Sequence, residues 1–489
     1  MTSLTQIEIP HVHLHIGHEK RPSGSGGSYD HLNPVTQQPQ AKFPLAGKRE
    51  IDEAVQKAQK VRETWRRTPP EARRNILNKL ADLIEDNATA FAERGALDGG
   101  TPLPNGKSMA DLGVAWARYY AGWCDKISGE MISTLDTRGE FSYTVPEPKG
   151  IVGIIITWNG PLISLCMKVI PALAAGNCCI VKPAELTPFA PELFADLCKE
   201  AGIPDGVVSI LPGTAEAGEA LVAHPDVSLI SFTGGPITAR RIMATCAEHI
   251  KPSVMELGGK SASLLFPDVD LTAACQRAIF WTIGIMAGQG CALPTRLLVH
   301  DDIFDTTVET LKAITAQFKV GDPFEEGVLV GPVINTAARD RIMDMINTVK
   351  AHGQGTIVMG GNLCVGALQG KNFIEPTIII DAPMDSDIAQ KEVFGPVLLV
   401  NRFRDEDEAV QLANSTQYGL AAYIQTNDLK RAHRLSERLH AGGVYINGAT
   451  QINPHTPFGG IGLSGFGKEG GRAGLDEYLN YKTVTIANN

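Results

Sequence analysis

The chain contains no apolar run of the roughly 18 residues a bilayer-spanning helix requires. Its longest aliphatic stretches, such as 151–156, have the length of a strand. It also lacks an excess of positive charge. Its 44 Lys and Arg stand against 54 Asp and Glu, for a net charge of −10. That balance argues against a nucleic-acid-binding or polybasic membrane surface. The first 20 residues are rich in His and polar groups and lack the charged-then-apolar order of a secretory signal. Cysteine is present without a pattern. Nine residues, an odd number at no repeated spacing, give no basis for a disulfide framework and make a reducing cytoplasm the expected compartment. No internal repeat and no low-complexity tract is visible.

What is present reads as a large soluble enzyme. A length of 489 residues allows two to four compact units, and 43% hydrophobic with 20% charged residues is ordinary for a globular protein. Residues 51–87 read as two helices broken by "RRTPPE". From Gly150 the pattern becomes an alternation of apolar strand-like runs with amphipathic helical ones. "IVGIIIT", "CCIVKP", "GVVSIL" and "SLISFTGG" supply the strands. This βαβα rhythm predicts a mostly parallel sheet covered by helices on both faces, binding ligands at the carboxyl ends of its strands. A second βα series follows Glu256, with "DLTAACQRAIFWTIGIM" read as one long helix before the strand "TRLLVH". Two alternating pieces, "EFSYTVPEPKG" (140–150) and "YKTVTIANN" (481–489), read as strands projecting from the main body.

Four features carry candidate chemistry. In "TWNGPL", Asn159 at a strand end can aim an amide donor into a cleft, although a turn residue is the plainer reading. In "VKPAELTP", Lys182 and Glu185 follow a strand, where they can reach ribose hydroxyls or form a surface ion pair. In "SFTGGPITA", Gly234 and Gly235 lie between strand and helix and would let backbone approach a pyrophosphate. Ala239 stands where a full dinucleotide fingerprint would place another glycine, so tight-turn glycines are the alternative. Last, "VMELGGKS" places Glu256 among apolar residues, either facing water or buried by design, and "GQGCALPTR" places Cys291 after two glycines. Adjacent Cys178 and Cys179 would point to opposite faces of a strand and read as packing.

These motifs, in this order together with "KEVFGPV", "NSTQYGLAA" and "PFGGIGLSGFGKEGG", resemble the NAD(P)-dependent aldehyde dehydrogenases over nearly the whole chain. The resemblance implies a Rossmann-like NAD-binding domain from 1–128 and 148–256, and an α/β catalytic domain from 257–462. It adds small bridging strands from 129–147 and 478–489, with assembly into a homodimer or homotetramer. It implies that Cys291 is the nucleophile and Glu256 the general base. Asn159 and the Cys291 N–H would form the oxyanion hole, with Glu469 as a second carboxylate in proton relay. Thr157, Trp158, Lys182, Glu185, Gly234, Gly235, Leu257, Glu392 and Phe394 would then contact the cofactor. Glu185 favours NAD over NADP, because it accepts from a ribose 2′-OH and repels a 2′-phosphate. The implied substrate is a small-molecule aldehyde, with no metal, nucleic acid or membrane partner.

Several positions depart from the commonest family pattern. Thr157 replaces a usual Pro, and Gly160 stands where an aromatic often follows the Asn. Gly160, Ser164, Met167 and Gly290 are expected to line the aldehyde tunnel. The two glycines imply room for bulky, aromatic, terpenoid or longer aliphatic aldehydes, unless a loop such as 449–457 refills the space. Three rivals stand beside this reading. A CoA-acylating enzyme would lack the base that Glu256 supplies. A semialdehyde or phospho-aldehyde dehydrogenase would want Arg or Lys near 160–167, and a non-catalytic scaffold would not need Cys291, Glu256 and Asn159 together. The "HVHLHIGHEK" run (11–20) places His11, His13 and His15 on one face of a strand, read as a half-exposed edge strand in preference to a metal site.

Overall fold

The computed structural model describes residues 7–133, 140–448 and 452–487. The loop 449–457 therefore lies partly outside the described residues, as do 134–139 of the first bridging segment and the last two residues of the second.

The near-continuous apolar runs after Gly150 become the fully buried centre of an eight-stranded sheet. Its five middle strands, Val208–Ile210, Cys178–Lys182, Ile151–Ile155, Leu229–Gly234 and Ser253–Leu257, lie side by side in that order, and all are parallel. Among these five the chain runs first through Ile151–Ile155 and steps outward through Cys178–Lys182 to Val208–Ile210. It then crosses back to lay Leu229–Gly234 against the other side of the first strand. Such a reversal opens a crevice beyond the strands' carboxyl ends. Helices Pro161–Ala174 and Phe189–Ala201 pack together and against the N-terminal helices Pro70–Asp86 and Leu103–Ala121. Lys48–Arg66 and Ala215–Ala223 form a separate packed group with Pro236–Glu248. The two α-helices predicted over 51–87 form as Lys48–Arg66 and Pro70–Asp86, the second opened by Pro at its first position.

A seven-stranded sheet follows, in the order Thr356–Met359, Thr377–Ile380, Val397–Phe403, Arg296–His300, Ala262–Leu265, Ala421–Gln425 and Gly443–Ile446. It is parallel except at its first pair. Both sheets with their helices make the architecture α/β. Antiparallel strands Met131–Ile132, Phe141–Pro148 and Leu479–Ile486 form a separate small sheet, the last two pairing over eight residues from Leu479↔Pro148 to Ile486↔Phe141. Among the described residues, no helix is long and apolar enough to cross a membrane.

Two local expectations change. The histidine run does not form the sheet edge. Leu14–Ile16 lies between Glu19–Arg21, which is the edge, and Val208–Ile210. His15 is buried with it. The single long helix over 270–286 is also interrupted. Asp270 caps an α-helix over Leu271–Ile279, its side chain accepting from the Ala273 N–H at 3.0 Å. The backbone then widens into a π-turn, Phe280–Gly284, and tightens into a 3₁₀ turn, Met286–Gly288. Extended Ile285 and left-handed Met286 and Ala287 (φ 49° and 51°) break the helical ladder.

Candidate active site at the strand ends

The crevice between Ile151–Ile155 and Leu229–Gly234 is where the sequence motifs meet. The first strand runs into Thr157, Trp158, Asn159 and Gly160, with Pro161 opening the next helix. The Asn159 Nδ2 donates to the Gln289 carbonyl at 2.8 Å, which ties this turn to the loop carrying Cys291. The second strand ends at Gly234, and Gly235 precedes the helix Pro236–Glu248. A Cβ on Gly235 would meet no atom within 4 Å, so this helix N-terminus is open for a phosphate group to approach. Lys182, at the end of Cys178–Lys182, is buried with its Nζ 3.7 Å from Glu185 Oε2, and burial lowers its pKa. An open helix N-terminus and a Lys–Glu pair, at the carboxyl ends of strands separated by one other in the sheet, fit the charge and hydroxyl pattern of a dinucleotide.

The Cys291 loop is held by hydrogen bonds from several directions. Gln289 Nε2 donates to the Met286 carbonyl at 2.9 Å, and the Ile334 N–H donates to Gln289 Oε1 at 2.9 Å. Asn105 Nδ2 donates to the Gly284 carbonyl at 2.9 Å, and Thr282 Oγ1 to that of Pro294 at 2.9 Å. Tyr423, stacked on Tyr445, donates its hydroxyl to the Ala292 carbonyl at 2.5 Å. Gly259 lies so close that a Cβ there would collide with the Cys291 carbonyl oxygen. Left-handed, non-glycine Met286 and Ala287 are costly conformations that this bracing maintains. Of the nine cysteines only Cys291 and Cys364 are not buried. Acidity does not single Cys291 out. Although the residue keeps partial exposure, loss of water around its thiol, followed by the charges of Glu392 and Glu256, pushes it up to about 12, and burial against the opposing charge of Arg62 takes Cys178 to a similar value. Access and neighbours distinguish it.

Glu256 resolves to the buried alternative. It is 3% exposed in the strand Ser253–Leu257, and neither carboxyl oxygen has a hydrogen-bond partner. Burial and then the charge of Glu469 raise its pKa well above the ordinary carboxylate value, against the opposing charges of Lys168 and Lys468. Glu469 is fixed by a two-way backbone bridge, accepting from the Phe458 N–H at 2.5 Å and donating back at 2.7 Å. Its side chain accepts from Lys168 Nζ, which also donates to Ser231 Oγ at 3.0 Å. Glu392 accepts from the Gly259 N–H at 2.9 Å, and burial lifts its pKa to about 7. Phe394, at φ 53°, meets Trp158 edge-on with centroids 5.4 Å apart. The Leu257 N–H donates to the Ser464 carbonyl at 3.2 Å.

The four residues expected in a tunnel separate. Gly160 borders open space, with nothing within 4 Å of a Cβ built there. Ser164 is half-buried and Met167 buried. Gly290 makes no room, because a Cβ would stand 2.8 Å from Leu293 Cγ, and that leucine fills the space. Sequence reasoning missed Lys168, Ser231 and Gln289. A visible signal existed for Lys168, the lone charge in the otherwise apolar run 162–174.

The aldehyde dehydrogenase family profile matches residues 21–484. An aldehyde dehydrogenase of Alternaria alternata is 38% identical, the match covering 97% of this chain and 95% of that protein. A chloroplastic betaine aldehyde dehydrogenase of Beta vulgaris is 37% identical over 98% of this chain and 97% of its own length. The NAD+ complex of an aldehyde dehydrogenase from Bacillus cereus superposes with a TM-score of 0.93 at 36% identity, covering 98% of this chain and 96% of that one.

Proposed function

The chain belongs to the aldehyde dehydrogenase family, oxidoreductases that act on aldehydes with a nicotinamide cofactor, and from that premise we propose that it oxidises an aldehyde to the carboxylic acid through a thioester on Cys291. The observation that carries this reading is the shared location of an accessible cysteine, an amide tied to its loop, and a buried carboxylate without a hydrogen-bond partner.

In this reading the Cys291 thiol gives its proton to the Glu256 carboxylate, which releases it to solvent, and the sulfur adds to the aldehyde carbonyl. The alkoxide that forms accepts from Asn159 Nδ2 and the Cys291 N–H; an oxyanion donor of this kind typically contributes about 3 kcal/mol. NAD+, when bound, would supply the acceptor for the hydride that this adduct must lose to become a thioester. Glu256 then takes a proton from water, whose oxygen attacks the thioester carbonyl, and the Cys291 sulfur departs with the acid released. A carboxyl with a raised pKa is a stronger base near neutrality than an ordinary one. Thr157, Trp158, Lys182, Glu185, Gly234, Gly235, Leu257, Glu392 and Phe394 would hold the cofactor. Glu185 supports NAD over NADP through its repulsion of a 2′-phosphate. The eight-stranded unit would bind nucleotide, the seven-stranded unit would carry the cysteine, and the small antiparallel sheet would join copies of the chain. Cysteine usage supports a cytoplasmic setting.

For the substrate, the open space at Gly160 supports bulky, aromatic or longer aliphatic aldehydes over acetaldehyde, and the relative from Beta vulgaris acts on betaine aldehyde by its name. A semialdehyde reading loses its nearest cation, because Lys168 is buried and committed to Glu469 and Ser231. Absorbance at 340 nm over acetaldehyde, benzaldehyde and octanal, with NAD and with NADP, tests both preferences. The expected result is a higher kcat/KM for benzaldehyde or octanal and for NAD. Acetaldehyde as the best substrate would end the substrate reading.

A further inference from the structure

The N-terminal histidine run has a partner that the dehydrogenase chemistry does not use. His15 in the strand Leu14–Ile16 and His13 just before it lie two residues apart and converge on one carboxylate, Glu192 of the helix Phe189–Ala201. His13 Nδ1 is 2.9 Å from Glu192 Oε1, and His15 Nε2 is 2.8 Å from Glu192 Oε2. The His13 N–H also donates to Oε2 at 2.9 Å. The three ligand atoms lie within 4.8 Å of one another, and this is the one such group among the described residues.

We propose that His13, His15 and Glu192 form a binding site for a divalent transition metal of the zinc type, away from the dehydrogenase centre. Two imidazoles and a carboxylate are a borderline-hard donor set suited to Zn²⁺, with a fourth position left for water. Bonds of about 2.0–2.2 Å in tetrahedral geometry put ligand atoms roughly 3.3 Å apart. The separations of 2.9 and 2.8 Å, which run to the two different carboxylate oxygens, need to open by about half an ångström, and the two imidazole nitrogens, within 4.8 Å of each other, draw together by up to about 1.5 Å. To bind the ion, each neutral imidazole moves its one proton from the nitrogen now facing the carboxylate to its other ring nitrogen, which frees a lone pair for the metal. His15 and Glu192 are buried and held by the sheet and the helix, whereas His13 is half-buried and leaves a path to solvent. Lys20 Nζ competes for Glu192 Oε1 from 3.3 Å, but it also bonds Asp196 at 2.8 Å and retains that partner when a metal enters. Bound metal would clamp the N-terminal strand to the helix.

Calorimetric titration of chelator-treated protein with Zn²⁺ tests this. A Cys291→Ser background removes the accessible thiol as a competing ligand. The expected result is one equivalent bound per chain, weakened at least about tenfold by His13→Asn. The Tm of that variant in chelator should match its parent. Lys20→Met should tighten binding, an effect that a purely hydrogen-bonded cluster would not produce. Zinc uptake unchanged by both His13→Asn and Lys20→Met would overturn the proposal, as would no stoichiometric binding at all.

Discussion

Glu256 and Glu469 repel one another across the strand ends, and the buried Lys168 ammonium sits against Glu469. The proposed base therefore works in a balance of charges. Its carboxylate form appears only as pH rises through its raised pKa, so thioester hydrolysis should quicken with pH over a window above the ordinary carboxylate range. Glu469→Gln removes the like charge and should move that limb to lower pH. Lys168→Met removes an opposing one and should move it to higher pH, while destabilising the fold by about 3–5 kcal/mol through an unpaired buried Glu469. Pre-steady-state turnover against pH in each variant checks the two directions, and a limb that moves the same way in both would contradict the coupling. At this scale motif order marked Cys291, Asn159 and Glu256 as the candidates on which the proposed chemistry rests. Lys168 was not legible, because one lysine in an apolar helix shows its purpose only when the C-terminal segment folds over it. Gly290 misled for a related reason. A missing side chain implies space only if no neighbour takes it, and Leu293 does.

Elements were legible where one period dominates. The parallel strands after Gly150 and the amphipathic helices between them follow directly from their apolar runs. The stretch 270–288 did not yield to that reasoning, since its apolar pattern runs through a π-turn and two left-handed residues that tertiary hydrogen bonds impose. The histidine strand lies inside the sheet edge because the short polar strand Glu19–Arg21 folds back to cover it. The projecting strands were legible from alternation, and they leave Met131, Phe141, Tyr481 and Ile486 exposed. An exposed, long, partly apolar edge invites pairing with another chain. Deleting 481–489 should therefore shift the protein toward monomer in size-exclusion light scattering, with Cys291 far along the chain and its loop bracing intact. An unchanged mass would remove this sheet from the assembly.

Across the whole molecule, two βα units place the residues of the proposed site at one junction. The eight-stranded sheet contributes Asn159, Gly235 and Glu256, and the seven-stranded unit contributes Cys291 and Glu392. Family and fold class were readable because eight ordered motifs span both units. The spacing between the sheets was not, because it depends on long-range contacts such as Asn159 to Gln289 and Glu392 to Gly259. The central claim is that Cys291 carries the acyl group and Glu256 directs water to it. It is tested most directly by mixing Glu256→Gln with benzaldehyde and NAD+ and following intact mass with peptide mapping. The account predicts about one equivalent of NADH formed in a burst, slow turnover afterwards, and a benzoyl group on the peptide containing Cys291. An acyl group on Cys364, or steady turnover at the parent rate without an acylated intermediate, would contradict it.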